Sequence, residues 1–342
     1  MATLSSPLKN YRILIVDADV ELSGVLKNML SEMGFVHLHS CRSGREAINL
    51  LRNTPFDFLI TEWNTQHING LELLKHIRRS PESPNCTIPV IMLTGRAEVA
   101  DVRMARDYGI NEYVVKPFSA RTIYSRLERI IEQPRGFVVA KGFVGPDRRA
   151  HMKPADEIEE KREIKPLPKP LPKNIVAELA SDIDVPKFWL PDFSLKLKLG
   201  KNMKLGDFIT PSVLNNAQAA IDSITNDSLQ WIKDNLNELK QLNAEMKSDN
   251  CPEDITASIA DVALLVNSRA GTFGYSRASE IAYALYLFAR NKLQPKNNGH
   301  HVVIQKHIEV LYIILGNQMQ GSAGEIGVQV AAELKALIAK YS

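Results

Sequence analysis

Short apolar runs alternate with amphipathic stretches along the first third of the chain, between Tyr11 and about Gln133. Each run is too short for a core helix. The stretches between the runs repeat apolar residues at helical spacing, as in Glu21–Met33, which Gly34 ends. Strands that alternate with helices form a parallel sheet covered on both faces. We therefore predict an α/β domain whose five-stranded parallel sheet uses Arg12–Val16, Val36–Leu38, Phe56–Thr61, Pro89–Leu93 and Tyr113–Val115.

The composition changes after this region. Residues 153–173 hold five prolines and nearly balanced charge, with almost no apolar side chains to bury. Such a stretch is typical of a linker, and its part from Pro166 to Pro172 favours the polyproline II conformation. We predict a linker over residues 136–184, proline-rich at 166–172. A docking site for a partner that binds proline-rich peptides is the alternative.

Beyond the linker, apolar residues recur at helical spacing almost throughout. Thr210 and Pro211 form a strong helix start, an N-cap residue followed by proline in the first turn. Long helices with short connections pack into bundles. The pattern predicts an all-α domain, a four- or five-helix bundle over residues 210–342, with helices at about 211–247, 253–268, 276–292, 300–319 and 325–341.

Two segments fall outside these domains. Residues 1–10 are predicted to be an N-terminal tail. Residues 185–209 are predicted to be an extended, partly amphipathic connection, with Phe188, Trp189 and Phe193 packing against the bundle. The α/β domain itself is assigned to residues 11–135.

Composition excludes several classes of protein. A net charge of +3 is too small to indicate nucleic acid or an anionic membrane as the partner. Cys41, Cys86 and Cys251 form neither a CxxC pair nor a disulfide framework, which fits a reducing compartment. The N-terminus lacks the apolar core of a signal peptide, and no apolar run reaches the roughly 18 residues that span a bilayer. We expect a cytoplasmic protein.

Three motifs occur in order in residues 11–135: LITEWNTQHINGLELL, IMLTG and YVVKPF. Because of them this region resembles the receiver domain of two-component signalling proteins, which has a flavodoxin-like fold. In that family an aspartate after the third strand takes a phosphoryl group from phosphohistidine. A magnesium ion, held by carboxylates after the first strand, neutralises the transferring charge, and a lysine and a hydroxyl group bind the phosphoryl oxygens.

The resemblance assigns a role to each matching position. Glu62 stands at the phosphate-acceptor position, and Asp17 belongs to the acidic pocket. Thr94 corresponds to the switch hydroxyl and Tyr113 to the rotating aromatic residue. Lys116 corresponds to the lysine that binds phosphate, and Pro117 to the proline that follows it.

Two departures put phosphoryl transfer in doubt. The acceptor is Glu62, whose carboxylate reaches about 1.5 Å further than that of aspartate and is expected to pair with Lys116 without phosphate. Ala18 stands at the position whose side chain ligates magnesium in the family. The side chain of Asp19, one residue later, is expected to point elsewhere. Asp57 lies at the wrong end of its strand to substitute. A pseudo-receiver without a metal site or cofactor is the favoured interpretation; a receiver that still accepts phosphate is the alternative.

The stretch Ala263–Tyr275, ALLVNSRAGTFGY, resembles the core motif of histidine-phosphotransfer domains. The later half of the motif matches, at Gly271, Phe273 and Gly274. The chemical half does not, since Leu264 replaces the histidine, Asn267 the basic residue and Ser268 the adjacent glycine. Leucine has no nucleophilic nitrogen, so this site cannot carry phosphate. The alternative is a helical bundle unrelated to that family.

The other histidines and the basic segments are interpreted as structural. His307 is expected to be packed and hydrogen-bonded, and His300 and His301 to be solvated at a helix start. No histidines and carboxylates show metal-ligand spacing. Arg148 and Arg149 belong to a GPDRR segment found in related receivers, to which we assign no charge role.

These observations favour a two-component-type signalling protein that is not an enzyme and acts as an adaptor or scaffold. Expected partners are a histidine kinase, a receiver or a phosphotransfer protein. A homodimer through the receiver is also expected, with Val99–Tyr108 and Tyr113–Arg121 as the candidate interface. The alternatives are a phosphorylatable response regulator with an atypical acceptor, acting in a phosphorelay, and a DNA-binding regulator.

Overall fold

A computed structural model describes residues 6–140, 142–148, 164–165, 187–189, 194–248, 251–321 and 323–341. The residues group into two compact units. The first contains the residues up to Leu93, Ala97–Val114, and those from Phe118 to Ile221. The second contains Thr94–Arg96, Val115–Pro117 and the residues from Asp222 onward.

The first sheet is the predicted five-stranded parallel sheet, with strand order β2-β1-β3-β4-β5. Register is fixed by pairs such as Ile13 with Leu38 and Ile13 with Phe58. All residues of β3 and β4 are buried, as expected for central strands covered on both faces. The strands are β1 (Arg12–Val16), β2 (His37–Cys41), β3 (Phe58–Thr61), β4 (Val90–Thr94) and β5 (Glu112–Val115).

Five helices cover this sheet, and polar N-caps start most of them. The side chains of Asp19, Ser43, Asn69 and Ser119 each accept a hydrogen bond from the first turn of their helix. Gly34 follows α1 with a φ of 99°, a conformation that favours glycine. The helices are α1 (Val20–Glu32), α2 (Gly44–Asn53), α3 (Gly70–Arg79), α4 (Val99–Asp107) and α5 (Ala120–Glu132).

The segment after the predicted linker folds onto the first unit, so its prediction as an extended connection is wrong. Helix α6 (Ser194–Leu199) and a 3-10 turn (Leu205–Asp207) bury leucines in the core on the α1 and α5 side of the sheet. The Tyr11 hydroxyl donates to the Leu195 carbonyl at 2.6 Å. The first turns of α7 (Pro211–Glu245) join the same core through Ala217.

A second, smaller sheet begins inside the region predicted to be linker, which corrects the start of that linker. Strands β6 (Phe137–Ala140) and β7 (Phe143–Pro146) form a hairpin, and the short strands β8 (Ile164–Lys165) and β9 (Lys187–Trp189) extend it in the order β7-β6-β9-β8. Strand β9 pairs with β6, so the backbones of Phe188 and Trp189 belong to this sheet. The predicted packing of their side chains against the bundle stays a prediction. The proline-rich stretch 166–172 and Phe193 lie outside the described residues.

The predicted N-terminal tail is also partly ordered. Pro7–Asn10 forms a 3-10 helix capped by the Ser6 side chain. Leu8 is only 1% exposed and belongs to the core beside α1 and α5. The tail therefore contributes to the fold from Ser6 onward.

The second unit is helical, and its helices lie close to their predicted positions. Helix α7 is followed by α8 (Ile255–Thr272), α9 (Ser276–Asn291), α10 (Asn298–Gly316) and α11 (Gly324–Tyr341). The predicted fold class, a flavodoxin-like α/β domain followed by an all-α region, is confirmed. In the described part of the chain, no helix is both long and apolar enough to cross a membrane.

One charged side chain holds several loops of the first unit together. Arg78 is fully buried at the end of α3. Its guanidinium donates to three backbone carbonyls and one side-chain amide at 2.7 to 2.9 Å, those of Gly109, Cys86, Ile88 and Asn111. Burial lowers its pKa to about 10, which still leaves it charged at neutral pH. The hydrogen bonds compensate for the removal of this charge from water.

Replacing Arg78 with methionine should destabilise the first unit by about 3–5 kcal/mol, because the four acceptors would lose their donor in a buried site. Urea unfolding followed by circular dichroism measures the effect. The matched control is Arg52→Met, which removes an ion pair with Glu82 at the surface and should cost no more than about 1 kcal/mol. Equal effects of the two substitutions would contradict the structural role of Arg78.

Candidate functional site

Polar residues stand at the carboxyl ends of four strands of the parallel sheet. Asp17 follows β1, Glu62 follows β3, Thr94 ends β4 and Lys116 follows β5. The carboxyl edge of such a sheet is where ligands bind in open α/β folds. In the first unit, Asp17 and Glu62 each follow a strand at this edge, whereas Thr94 and Lys116 belong to the second unit. The assembly of all four residues into one pocket stays a prediction.

The acidic residues after β1 are used in local hydrogen bonds. The Asp17 carboxylate accepts from the Asp19 backbone N–H at 3.0 Å. Asp19 is fully buried and caps α1, accepting from the N–H groups of Glu21 and Leu22. Its side chain thus points into the helix start, as predicted. Ala18, at the position where the receiver family has a metal ligand, is 3% exposed.

Glu62 is buried, with 3% of its surface exposed, and part of its carboxylate folds back onto its own backbone. Its Oε1 accepts from the Trp63 N–H at 2.6 Å and from the Asn64 N–H at 3.4 Å. The next helix begins tightly against this residue, because a methyl group on Gly70 would lie 2.1 Å from the Glu62 carbonyl oxygen. The Gly70 N–H also donates to the Trp63 carbonyl at 2.7 Å.

The switch hydroxyl and the lysine belong to the second unit. Thr94 is fully buried, and its carbonyl accepts from the Lys116 N–H at 2.8 Å. Lys116 is 4% exposed, and its ammonium donates to the Ser268 hydroxyl at 3.3 Å. The peptide bond from Lys116 to Pro117 is cis. Tyr113, the rotating aromatic of the motif, is half-buried on β5.

Two further predictions about acidic residues have different outcomes. The Asp57 carboxylate accepts from the Arg12 N–H at 2.9 Å and pairs with Lys198 at 2.6 Å. Since Arg12 begins β1, Asp57 lies at the amino edge of the sheet, as predicted. The ion pair between Glu62 and Lys116 stays a prediction.

Potential metal ligands are dispersed in the described residues. Within that part of the chain, no three His, Cys, Asp or Glu side chains are grouped so that they could hold a metal ion. At the sheet edge, Asp17 and Glu62 supply carboxylates, whereas Ala18 supplies none. The loss of the family's magnesium site stays a prediction.

Comparison with known proteins agrees with this architecture. A model of the response regulator receiver domain matches residues 13–128. The chemotaxis protein CheY-3 of Vibrio cholerae is 37% identical over 125 residues, which are 36% of this chain and 95% of that protein. The chain belongs to the response regulator receiver family. Its N-terminal region is a receiver domain of two-component signalling, as its motifs predicted.

Other receiver-family proteins match the same share of the chain. The chemotaxis protein CheY of Pseudomonas aeruginosa is 34% identical over 125 residues, 36% of this chain and 99% of that protein. A solved signal receiver domain of a histidine kinase from Syntrophus aciditrophicus is 29% identical. The match covers 36% of this chain and 90% of that one, with a TM-score of 0.33.

The chemical half of the phosphotransfer-like motif is buried in α8. Leu264, at the histidine position, is 1% exposed. Asn267 donates to the Ser279 carbonyl and hydroxyl at 2.9 and 2.8 Å, and thereby joins α8 to α9. Gly271 lies where a methyl group would come within 3.1 Å of the Ser279 hydroxyl. Ser279 is a site residue that the motif did not reveal, because it lies on the next helix.

The later half of the motif ends the helix. Helix α8 stops at Thr272, and Gly274 has a φ of 84°, so its role is to turn the chain between α8 and α9. Phe273 is half-buried, and its ring packs edge-on against that of Trp231, with 6.5 Å between the ring centroids.

The histidines of α10 are structural, and the predicted solvation of two of them is wrong. His300 and His301 are 3% and 4% exposed, and their Nε2 atoms bond the carbonyls of Tyr341 and Pro295. His307 is fully buried and its Nδ1 bonds the Val303 carbonyl at 2.8 Å, as predicted. A helix start can be buried when its side chains bond neighbouring loops, which residue order alone does not show.

The GPDRR segment has a packing role in the first unit. Gly145 on β7 lies so close to Gly109 that a methyl group on it would come within 2.5 Å of the Gly109 Cα. Arg148 pairs with Asp107 at the end of α4 at 2.7 Å and lies over the Phe143 ring. Its charge therefore fixes the hairpin beside α4. Arg149 lies outside the described residues.

The turn between Glu62 and α3 gives a direct test of the site's geometry. Gly70→Ala should destabilise the first unit by about 1–3 kcal/mol, because its methyl group collides with the Glu62 carbonyl. The matched control is Gly24→Ala, in the interior of α1, where nothing lies within 4 Å. That change should stabilise the protein by about 0.5–1 kcal/mol. Urea unfolding measures both, and a Gly70→Ala variant as stable as the wild type would contradict the packing described.

Burial lowers the pKa of His307 below its usual value, partly offset by the bond to Val303. In the unfolded chain the imidazole binds a proton near its usual pKa of about 6.5, whereas the folded protein resists protonation. The unfolded state therefore binds more protons, and the free energy of unfolding should fall as the pH drops below that value. Urea unfolding at pH 7.5 and 5.5 should show a smaller loss for His307→Leu than for the wild type.

The control for this pH effect is His37→Gln, at an exposed position on β2. Its loss of stability between the two pH values should equal that of the wild type. The pKa of His301 is also lowered by burial, so a residual pH dependence is expected in His307→Leu. If His307→Leu loses as much stability as the wild type between pH 7.5 and 5.5, burial does not lower the pKa of His307.

Proposed function

We propose that this protein is a two-component-type signalling adaptor whose receiver no longer transfers phosphate. The observation that carries the proposal is the state of Glu62, a buried residue at the acceptor position with one carboxylate oxygen bonded to the next N–H at 2.6 Å. An acceptor needs an oxygen aligned with the incoming phosphorus and a metal that neutralises the transferring charge. Ala18 removes a ligand from that metal.

The helical region supports the same proposal. A phosphotransfer histidine has to be reached by the active site of its partner, so its side chain needs to be exposed. Leu264 at that position lacks the nucleophile and is also 1% exposed. Restoring the histidine alone would place an imidazole in a packed core. A phosphotransfer-like bundle without transfer is therefore the form that fits this region best.

An adaptor acts through surfaces, and helix α4 offers one. Val99 and Met104 on α4 are 66% and 42% exposed, and exposed apolar residues on a helix are suited to protein partners. The other half of the expected interface is partly covered by the chain itself, since the Ala120 N–H at the start of α5 donates to the Gln218 side chain. The proposal is a cytosolic protein that binds kinases, receivers or phosphotransfer proteins through α4.

Incubation with acetyl phosphate and magnesium, followed by intact mass spectrometry, tests the loss of phosphoryl transfer. The wild type should gain no phosphoryl group, because Glu62 is held by its own backbone and the metal lacks a ligand. A stable gain of one phosphoryl group on Glu62 or a nearby aspartate would overturn the adaptor proposal in favour of an active response regulator.

The matched control restores the family's residues in the same chain. The double variant Ala18→Asp, Glu62→Asp should bind magnesium more tightly than the wild type in a calorimetric titration and should gain phosphate from the same donor. The variant Glu62→Asp alone should remain inactive or weak, since the metal ligand is still missing. Equal phosphorylation of wild type and double variant would show that neither position limits the reaction.

A further inference from the structure

The lysine of the phosphate pocket is held by the helical region within one compact unit. The unit that contains α8 and α9 also contains Thr94–Arg96 and Val115–Pro117, the two short segments at the ends of β4 and β5. Lys116 and Ser268 are both buried, at 4% and 6% exposure, and the ammonium donates to the hydroxyl at 3.3 Å. A buried ammonium needs hydrogen-bond acceptors, and Ser268 provides one.

Two glycines allow the backbones to meet at this point. A methyl group built on Gly95 would lie 3.3 Å from the Gly271 Cα, and one built on Gly271 would lie 3.2 Å from the Gly95 Cα. The Ser279 hydroxyl lies 3.5 Å from the first of these positions and 3.1 Å from the second. Backbone segments approach this closely only where side chains are absent. A glycine on each side, Gly95 and Gly271, therefore permits this close contact.

Further contacts fix the partners in position. The Ser279 hydroxyl donates to the Asn267 carbonyl at 2.9 Å, and the Asn267 amide bonds Ser279 in return, so α8 and α9 present Ser279 in a set orientation. The Arg96 guanidinium lies over the Tyr283 ring of α9, 5.4 Å from its centroid, as in a cation–π interaction. The contact thus combines a buried charge, two glycines and an aromatic ring.

The departures from the phosphotransfer motif acquire a role in this contact. Leu264, Ser268 and Gly271 recur at helical spacing and share one face of α8. The glycine expected at position 268 has no side chain that could accept a hydrogen bond, whereas the serine hydroxyl accepts one from Lys116. The substitution that removes a feature of transfer chemistry therefore supplies the acceptor for the lysine.

We propose that the α8–α9 face is a docking surface for receiver loops, and that its occupant is this chain's own Thr94–Arg96 and Val115–Pro117. We call this contact the latch, formed by these two segments with Ser268, Gly271, Ser279 and Tyr283. The latch sequesters Lys116 and holds the β4 and β5 ends in one arrangement. A partner that binds either side competes with the latch. The latch does not depend on whether Glu62 accepts phosphate, so this proposal goes beyond the proposed function.

Labelling of lysines by N-hydroxysuccinimide acetate in the full-length protein, read by peptide mass spectrometry, tests the latch. In the wild type Lys116 should react far more slowly than the exposed Lys201. Gly271→Leu and Gly95→Leu, which add bulk from opposite sides, should each raise the Lys116 rate about tenfold or more, as expected when added methylene groups do not fit a packed contact. Ser268→Ala should raise it by a smaller factor.

Matched controls separate opening of the latch from unfolding. Gly316→Ala changes a glycine with open space around it, and Ser258→Ala removes a hydroxyl elsewhere on α8. Both should leave the Lys116 rate unchanged. Hydrogen exchange of α10 should be the same in all variants, whereas exchange in peptides that contain residues 94–96 and 115–117 should quicken only in the latch variants.

Two results would overturn the latch. One is labelling of Lys116 in the wild type at the rate of Lys201. The other is an unchanged Lys116 rate in both leucine variants while α10 stays protected. Phosphorylation of Glu62 in the mass experiment would instead reject the adaptor function and leave the latch intact, so the two proposals fail by different measurements.

Discussion

A parallel sheet has apolar side chains on both faces, so it is stable only when both faces are covered. In this protein the core on the α1 and α5 side does not end with those helices. It continues through Leu195, Leu205 and Ala217, far along the chain, and the Tyr11 hydroxyl bonds the Leu195 carbonyl beneath them. The helix that leads into the C-terminal region therefore begins inside the receiver's core. A variant that cuts the chain after the last receiver helix would remove part of this core as well as the helices.

A charged side chain that is buried among apolar groups needs hydrogen-bond partners, because it has lost its contact with water. Arg78 is surrounded by four oxygens that accept hydrogen bonds from its guanidinium. These bonds stabilise the loops that supply the oxygens. The acidic residues on the carboxyl edge accept from backbone N–H groups close in sequence, so they stabilise local turns and helix starts. A working receiver would keep carboxylate oxygens available for magnesium and phosphate. In this protein local hydrogen bonds take up part of the accepting capacity of these carboxylates.

Periodicity predicted the strands and the helices, because each depends on residues close in sequence. The resemblance to the receiver family predicted which residues follow the strands at the carboxyl edge of the sheet. The hairpin at Phe137–Pro146 was missed although its signal is present: two apolar runs, FVVA and FVGP, separated by Lys141 and Gly142, whose φ is 77°. The prolines of residues 153–173 led to the prediction of a linker that began too early, at residue 136. The burial of His300 and His301 and the place of Leu195 in the core could not be predicted, since both depend on contacts between residues distant in sequence. Ser279 was missed for the same reason, because it lies on the helix after the motif.

The departures from the two family motifs differ in what they do to the surface. Ala18 and Leu264 are apolar and almost fully buried, so both side chains are part of the packing at their positions. Ser268 and Glu62 are polar and buried, so each needs hydrogen-bond partners, which the fold supplies from Lys116 in the first case and from the Trp63 N–H in the second. Burial of a polar group is costly when one partner is lost. Removal of either side chain alone would therefore leave its hydrogen-bond partner unsatisfied, so a change at Ser268 or at Glu62 is expected to need a second change that restores the lost hydrogen bond.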